Sequence, residues 1–283
     1  MDAQRRLLLG WLAATALGVL PRRMHASQTG VIRIAAPDAG AEEIQRGLDA
    51  GIREASQTAG LLGRRIERVA AGRSAFAEIA IDDGVWIQAA GGCRFRISAP
   101  PAARAAALAR WLASTGRRRC RITLSPAADV RQAFASAGVT LVDTGSADAM
   151  LIDPANRGDA GGGMLRVALA PVPGQGDAAW VAGWHASLVK FGASDLNERF
   201  TRAFHAPMTP QAWCAWVAVK AVVEAALRGA AADDACRALA ALRFDGHKGV
   251  PLGFREEDLV QPLCLVVREH GREQADFVDG DRG

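Results

Sequence analysis

Phe191-Gly192-Ala193-Ser194-Asp195-Leu196-Asn197-Glu198-Arg199-Phe200, then a tryptophan-bearing run from Thr209, then Asp245-Gly246-His247-Lys248-Gly249-Val250-Pro251-Leu252-Gly253-Phe254-Arg255 and Gln261-Pro262-Leu263: this order of segments decides the fold. Its clearest element is a helix from Pro210 to Arg228. Thr209 is a natural N-cap, Pro210 suits the first helical position, and Gly229 supplies the stop. Trp213, Trp216, Lys220, Val223 and Leu227 share one stripe of that helix. A second helix is expected over Asp234–Leu242 and a final apolar strand over Val260–Val267. Gly246 and Gly249 flank His247-Lys248, which reads as a turn rather than as a catalytic pair.

Working toward the N-terminus, strands and helices alternate. Val31–Ala35 is an apolar strand that stops at Pro37-Asp38, where Asp38 or a neighbour can cap a following helix. Ile44, Leu48 and Ile52 give that helix one apolar stripe, and it ends near Gly60. Ile66–Val69 and Val85–Gln88 read as strands, and Phe76–Ile81 as a short helix or strand. A helix is expected over Ala102–Ala113, a strand at Arg121–Leu124 and a helix over Asp129–Ala137. Strands follow at Val139–Val142, Ala149–Ile152 and Leu165–Leu169. A polar, Gly-rich connection is expected over 153–163. This alternation argues for an α/β protein with mainly parallel sheets.

A chain of 283 residues, half of them hydrophobic, suits two lobes better than one core. Arg5-Arg6 followed by the apolar run Leu7–Leu20 reads as an export signal over residues 1–26, with a hint of the twin-arginine type. The run is short for a membrane span of roughly 20 residues. That segment carries four Arg and one Asp, so of the net charge of +4 only about +1 belongs to the remainder. No basic face for nucleic acid is expected, and Arg117-Arg118-Arg119 reads as a solvated loop. The five cysteines (Cys93, Cys120, Cys214, Cys236 and Cys264) show no metal-ligand spacing. Cys214 and Cys264 sit in apolar surroundings and read as small core residues.

Motifs for catalysis are missing. There is no GxGxxG, P-loop, GxSxG or HExxH, and no pair of histidines is spaced for zinc on a helix. Nothing in the sequence calls for a cofactor or a metal. In open α/β sheets ligands sit at the carboxyl ends of strands, so three such ends are candidates. They are Pro37 and Asp38, then Ala90, Gly91, Gly92 and Cys93 beyond the strand holding Trp86, then Pro171 followed by Trp180. Small residues let backbone N–H groups approach a ligand, and a tryptophan can close over an apolar one. The plain alternative at each is loop, cap or core.

The C-terminal third quoted above resembles type I periplasmic solute-binding proteins of the branched-chain amino-acid-binding superfamily. More narrowly it is similar to the substrate-binding proteins of ABC systems associated with PQQ-dependent alcohol dehydrogenases. Cys93-Arg94 followed by Ser98-Ala99-Pro100 resembles the point where that family's chain enters its second lobe. The resemblance implies two Rossmann-like lobes joined by three crossovers, here shortened around Ala70–Val85 and 153–163. It places residues 28–98 and 204–250 in the first lobe and 99–203 and 251–283 in the second. It further implies a non-enzymatic, periplasmic protein that is not itself embedded in the membrane. Such a protein binds a small molecule between its lobes and delivers it to an ABC permease. The second reading is a degenerate accessory or interaction module on the same fold; a hydrolase-like enzyme is third.

Overall fold

The computed structural model describes residues 30–38, 40–123, 125–153, 164–172, 174 and 176–278. The expected export signal and the Gly-rich connection after Asp153 lie outside them. The described residues form two sheets, of eight and seven strands.

The first sheet begins with β1 (Val31–Ala36), α1 (Glu42–Leu61), β2 (Arg65–Ala70), β3 (Ala77–Ile81), β4 (Val85–Ala89) and β5 (Arg94–Arg96). β1 pairs in parallel with β2 and β3, whereas β3–β4 and β4–β5 are antiparallel. Mainly parallel pairing therefore fails for this part of the sheet, because the short stretch between Ala70 and Arg94 makes hairpins instead of crossover helices. Asp38 does not cap α1 either. The N-cap is Ala41, which has no side chain to offer, and Glu42 and Glu43 face the helix N-terminus instead.

The chain then enters the second sheet through α2 (Pro101–Ser114), β6 (Arg119–Ile122), α3 (Ala128–Ser136), β7 (Thr140–Val142), β8 (Ala149–Leu151), β9 (Leu165–Ala168) and β10 (Ala178–Ala182). These strands pair in parallel in the order β7-β6-β8-β9-β10. It returns through α4 (Ala193–Phe204), whose Arg199 reaches Glu54 of α1 at 3.4 Å. Next come α5 (Pro210–Leu227) and α6 (Ala235–Ala240). Thr209 accepts the Ala212 N–H at 3.1 Å, as the sequence predicts for the α5 cap.

β11 (Phe244–Asp245), β12 (Pro251–Arg255) and β13 (Asp258–Val260) extend the first sheet. β14 (Cys264–Glu269) and β15 (Arg272–Phe277) complete the second. This corrects the lobe boundary expected at 250/251. β13 pairs in parallel with β5 at Asp258 and Arg96, and Phe254 packs on Phe95 at 4.8 Å. Residues 251–260 thus remain with the first sheet, and the third passage falls at Gln261–Leu263. The single strand expected over Val260–Val267 breaks there. Pro262 has no N–H for a ladder, and its neighbours turn from one sheet to the other.

α1 and α5 cover one face of the first sheet, and α5 is buried almost all round. Gly47 and Gly51 of α1 allow this close approach: a Cβ at Gly47 would overlap the Ala212 carbonyl. The opposite face is charged. Arg33 pairs with Glu67 at 3.1 Å, Arg94 with Asp82 at 2.6 Å and Arg96 with Asp258 at 3.6 Å. The Arg94 and Arg96 guanidiniums lie 4.5 and 4.4 Å from the Trp86 ring. A sheet covered on both faces would instead show near-continuous apolar strands.

In the second sheet α2 and α3 bury Leu108, Leu112, Val130 and Phe134 against Ile122, Leu151 and Val181. Its other face, with Met150, Trp180 and Val266, belongs to the same buried cluster as α5 and the first sheet.

Candidate functional site

Strand direction determines which ends of the sheets meet. β1, β3, β5 and β13 run the same way, so their carboxyl ends share one end of the first sheet. β6, β8, β9 and β10 do the same in the second. The first passage (97–100) leaves the end of β5 and the third (261–263) the end of β13. The second (183–192) leaves the end of β10. β14 is antiparallel to β10, so it starts where β10 stops. The carboxyl ends of the two sheets therefore face each other across three short passages, the arrangement in which α/β proteins take ligands.

The sequence-derived candidates divide accordingly. Pro37 and Asp38 lie at a facing end. The Pro37 carbonyl accepts from Gln45 Nε2 at 3.1 Å and from Arg68, while Asp38 is exposed. Pro171 lies exposed beyond β9, also at a facing end. Ala90, Gly91, Gly92 and Cys93 do not. β4 runs against β3, so its carboxyl end lies at the far end of the sheet. There the four residues form a hairpin turn, closed by Ala89 N–H to the Cys93 carbonyl and Gly92 N–H to the Ala89 carbonyl, both 2.9 Å. Cys93 is disulfide-bonded to Cys236 of α6, and Gly91 packs on that sulfur. No helix N-terminus follows this turn, because a strand does. Trp180 stands in the middle of β10, 2% exposed, with Arg268 5.2 Å from its ring, and packs within the sheet's buried face.

The passages carry groups that sequence reading assigned only to a turn. Lys248, on the β11–β12 loop, is 2% exposed. Its ammonium donates to the Gly183 carbonyl, to Gln261 Oε1 at 2.6 Å and to the Pro262 carbonyl at 2.9 Å. It lies 4.0 Å from the Trp213 ring, which stacks on Trp184 at 5.6 Å. Gln261 Nε2 in turn donates to the Ile97 carbonyl at 2.8 Å. Trp184 donates to Asn197 Oδ1 at 2.9 Å, and Ser98 Oγ accepts the Val85 N–H at 2.9 Å. One sequence signal pointed to Lys248: only three of the 34 basic residues are lysine. Three oxygens converging on one point suit a compact ammonium and not a planar guanidinium.

Beyond Gly183 the second passage is fastened to β15. His185 contacts Ser187 Oγ at 2.9 Å through Nδ1 and Glu273 at 3.1 Å through Nε2. Ser187 Oγ also accepts the Ala275 N–H at 3.0 Å, and Lys190 pairs with Asp276 at 2.6 Å. The Ser–His–Glu contact holds a backbone segment to a strand edge. Phe191 and Gly192, both at positive φ, then turn the chain toward α4.

Among the described residues no group of three or more metal-ligating side chains gathers, and no helix is long and apolar enough to cross a membrane. A groove of about 660 Å³ lined by Phe191, Glu224, Arg228, Phe244 and Val250 runs beside edge strand β11.

No protein-family model and no curated protein matches this chain. Solved structures do. An ABC transporter substrate-binding protein from Desulfitobacterium hafniense, solved with leucine, superposes with a TM-score of 0.68 at 15% identity, over 87% of this chain and 99% of that one. A Thermotoga maritima leucine-binding protein gives 0.60 at 13%, over 89% and 99%. An R. palustris solute-binding protein solved with benzoate gives 0.58 at 14%, over 88% and 95%. This is the two-lobe fold of type I periplasmic binding proteins.

The buried lysine among these passage contacts has a pH signature. Burial pushes Lys248 down to about 7, while it pushes the Cys214 and Cys264 thiols up to about 11 and keeps them neutral. Unfolded, Lys248 regains the ordinary lysine value near 10.5. Between pH 7 and 10.5 the unfolded chain then binds a proton that the native chain does not, so this group makes stability rise with pH across that window. Urea midpoints of wild type and Lys248→Met at pH 6.5 and 9 check this. The gap between the two proteins is expected to change with pH in that sense, and an identical pH profile would contradict it.

Proposed function

We propose that this chain is an exported solute-binding protein that hands a small molecule to a membrane ABC permease and performs no chemistry of its own. One observation carries the reading: the carboxyl ends of two sheets face each other across three passages. A solute held between them makes contacts with both lobes only when they close, which shifts the population toward the closed form. Pro37, Asp38 and Pro171 are the residues proposed to border that gap. Leucine and benzoate, the ligands of two structural neighbours, are small carboxylates, and this supports the same class here. Export to the periplasm rests on the N-terminal sequence pattern. A link to PQQ-dependent alcohol oxidation rests on the sequence resemblance of the C-terminal third alone.

A thermal-shift screen with short-chain and aromatic acids, amino acids, alcohols and aldehydes tests the reading. A ligand at 100 times its Kd stabilises by about 2.7 kcal/mol, a rise of roughly 5–10 °C for a chain of this size. At least one acid is expected to reach that range and to be recovered unchanged. No shift from any class, or conversion of a compound to product, would contradict it.

A further inference from the structure

We propose that Lys248 is the pivot of lobe movement, a positioning residue whose ammonium gathers all three passages into one joint. The three bonds of its Nζ account for the second and third passages, through Gly183, Gln261 and Pro262. The Gln261 amide extends the same tie to Ile97 on the first. The root of the lysine is in the first lobe, on a loop set by Asp245 accepting the His247 N–H at 2.8 Å and by positive φ at His247 and Gly249. Trp213 of α5 closes over the ammonium on the same side.

Protonated, the amine has three donors, and all three are used on segments that must change direction when lobes rotate. Buried charge of this kind is poor evidence for added stability, since a well-packed apolar side chain of similar volume often does as well. What an apolar side chain cannot do is hold the second and third passages at one point, with Gln261 carrying the tie on to the first. With the tie in place the passages turn as a unit about Lys248. Without it each turns on its own, and the range of angles between the lobes widens.

The inference extends the solute-binding reading, but its test needs no solute, so either can fail while the other stands. Spin labels at Arg65→Cys and Gln132→Cys, exposed positions on β2 and α3, report the distance between the two sheets in the full chain. Lys248→Met is expected to stay folded, with an unchanged circular dichroism spectrum and a broadened interlobe distance distribution. Gln261→Leu, which loses only the link to the first passage and one lysine acceptor, is expected to broaden it less. It also decides the matter if Lys248→Met does not fold. Lys220→Met removes a cation that pairs with Glu224 within α5, and it is expected to leave the distribution as in wild type. Folded Lys248→Met or Gln261→Leu protein with the wild-type distribution would overturn the proposal.

Discussion

Trp213→Ala is expected to lower the free energy of unfolding by about 3–5 kcal/mol, the range for deleting a fully buried large aromatic. Trp213 is 0% exposed. Its ring stacks on Trp184 with 7° between the planes and forms the face against which Lys248 rests. The loss therefore combines lost burial, a cavity at the junction of α5 with the second passage, and a missing partner for a buried cation. Urea unfolding measures it. Trp86→Ala is the comparison, since Trp86 packs between two arginines on the charged outer face of the first sheet and not in the shared core. A Trp213→Ala cost below about 1 kcal/mol, the level of ordinary surface changes, would contradict this picture of a continuous core across the passages.

Reducing the Cys93–Cys236 disulfide is expected to cost about 2–5 kcal/mol, because it closes a long loop in the unfolded chain. The bridge spans 143 residues and ties the β4–β5 hairpin to α6. Unfolding with and without a thiol reductant, or of Cys236→Ala against wild type, reads the difference. Cys120, Cys214 and Cys264 are free and buried, so reductant acts on the native protein through this one bond among the described residues. Equal midpoints in both conditions would sink the expectation.

The sequence made most of the helical elements plain, α4 (Ala193–Phe204) excepted. Thr209, Pro210 and the tryptophan stripe located α5 to within a residue, and Ile44, Leu48 and Ile52 located α1, because capping chemistry and a 3.6-residue period are local signals. The hairpins were less legible. β11 is two residues long and β13 three, and such strands exist through their partners and not through their own pattern. One further signal is present in the strands. Arg33 between buried Ile32 and Ile34, and Arg94 and Arg96 around buried Phe95, alternate with core positions. That period of two marks a sheet with one solvated face. It also explains why the turn at Ala90–Cys93 was misplaced. Glycines after a strand read the same in a strand-to-helix junction and in a hairpin, and only the pairing partner tells them apart. Lys248 was hidden for a different reason: its partners are 13 to 65 residues away, and no local window contains them.

Small-angle X-ray scattering on the purified chain, with and without the acid that raises its melting temperature most, addresses the central claim directly. Two lobes turning on a common joint to enclose a solute give a smaller radius of gyration in the bound sample. Saturating solute with an unchanged scattering curve would mean that the sheets form one rigid body and that no gap closes between them.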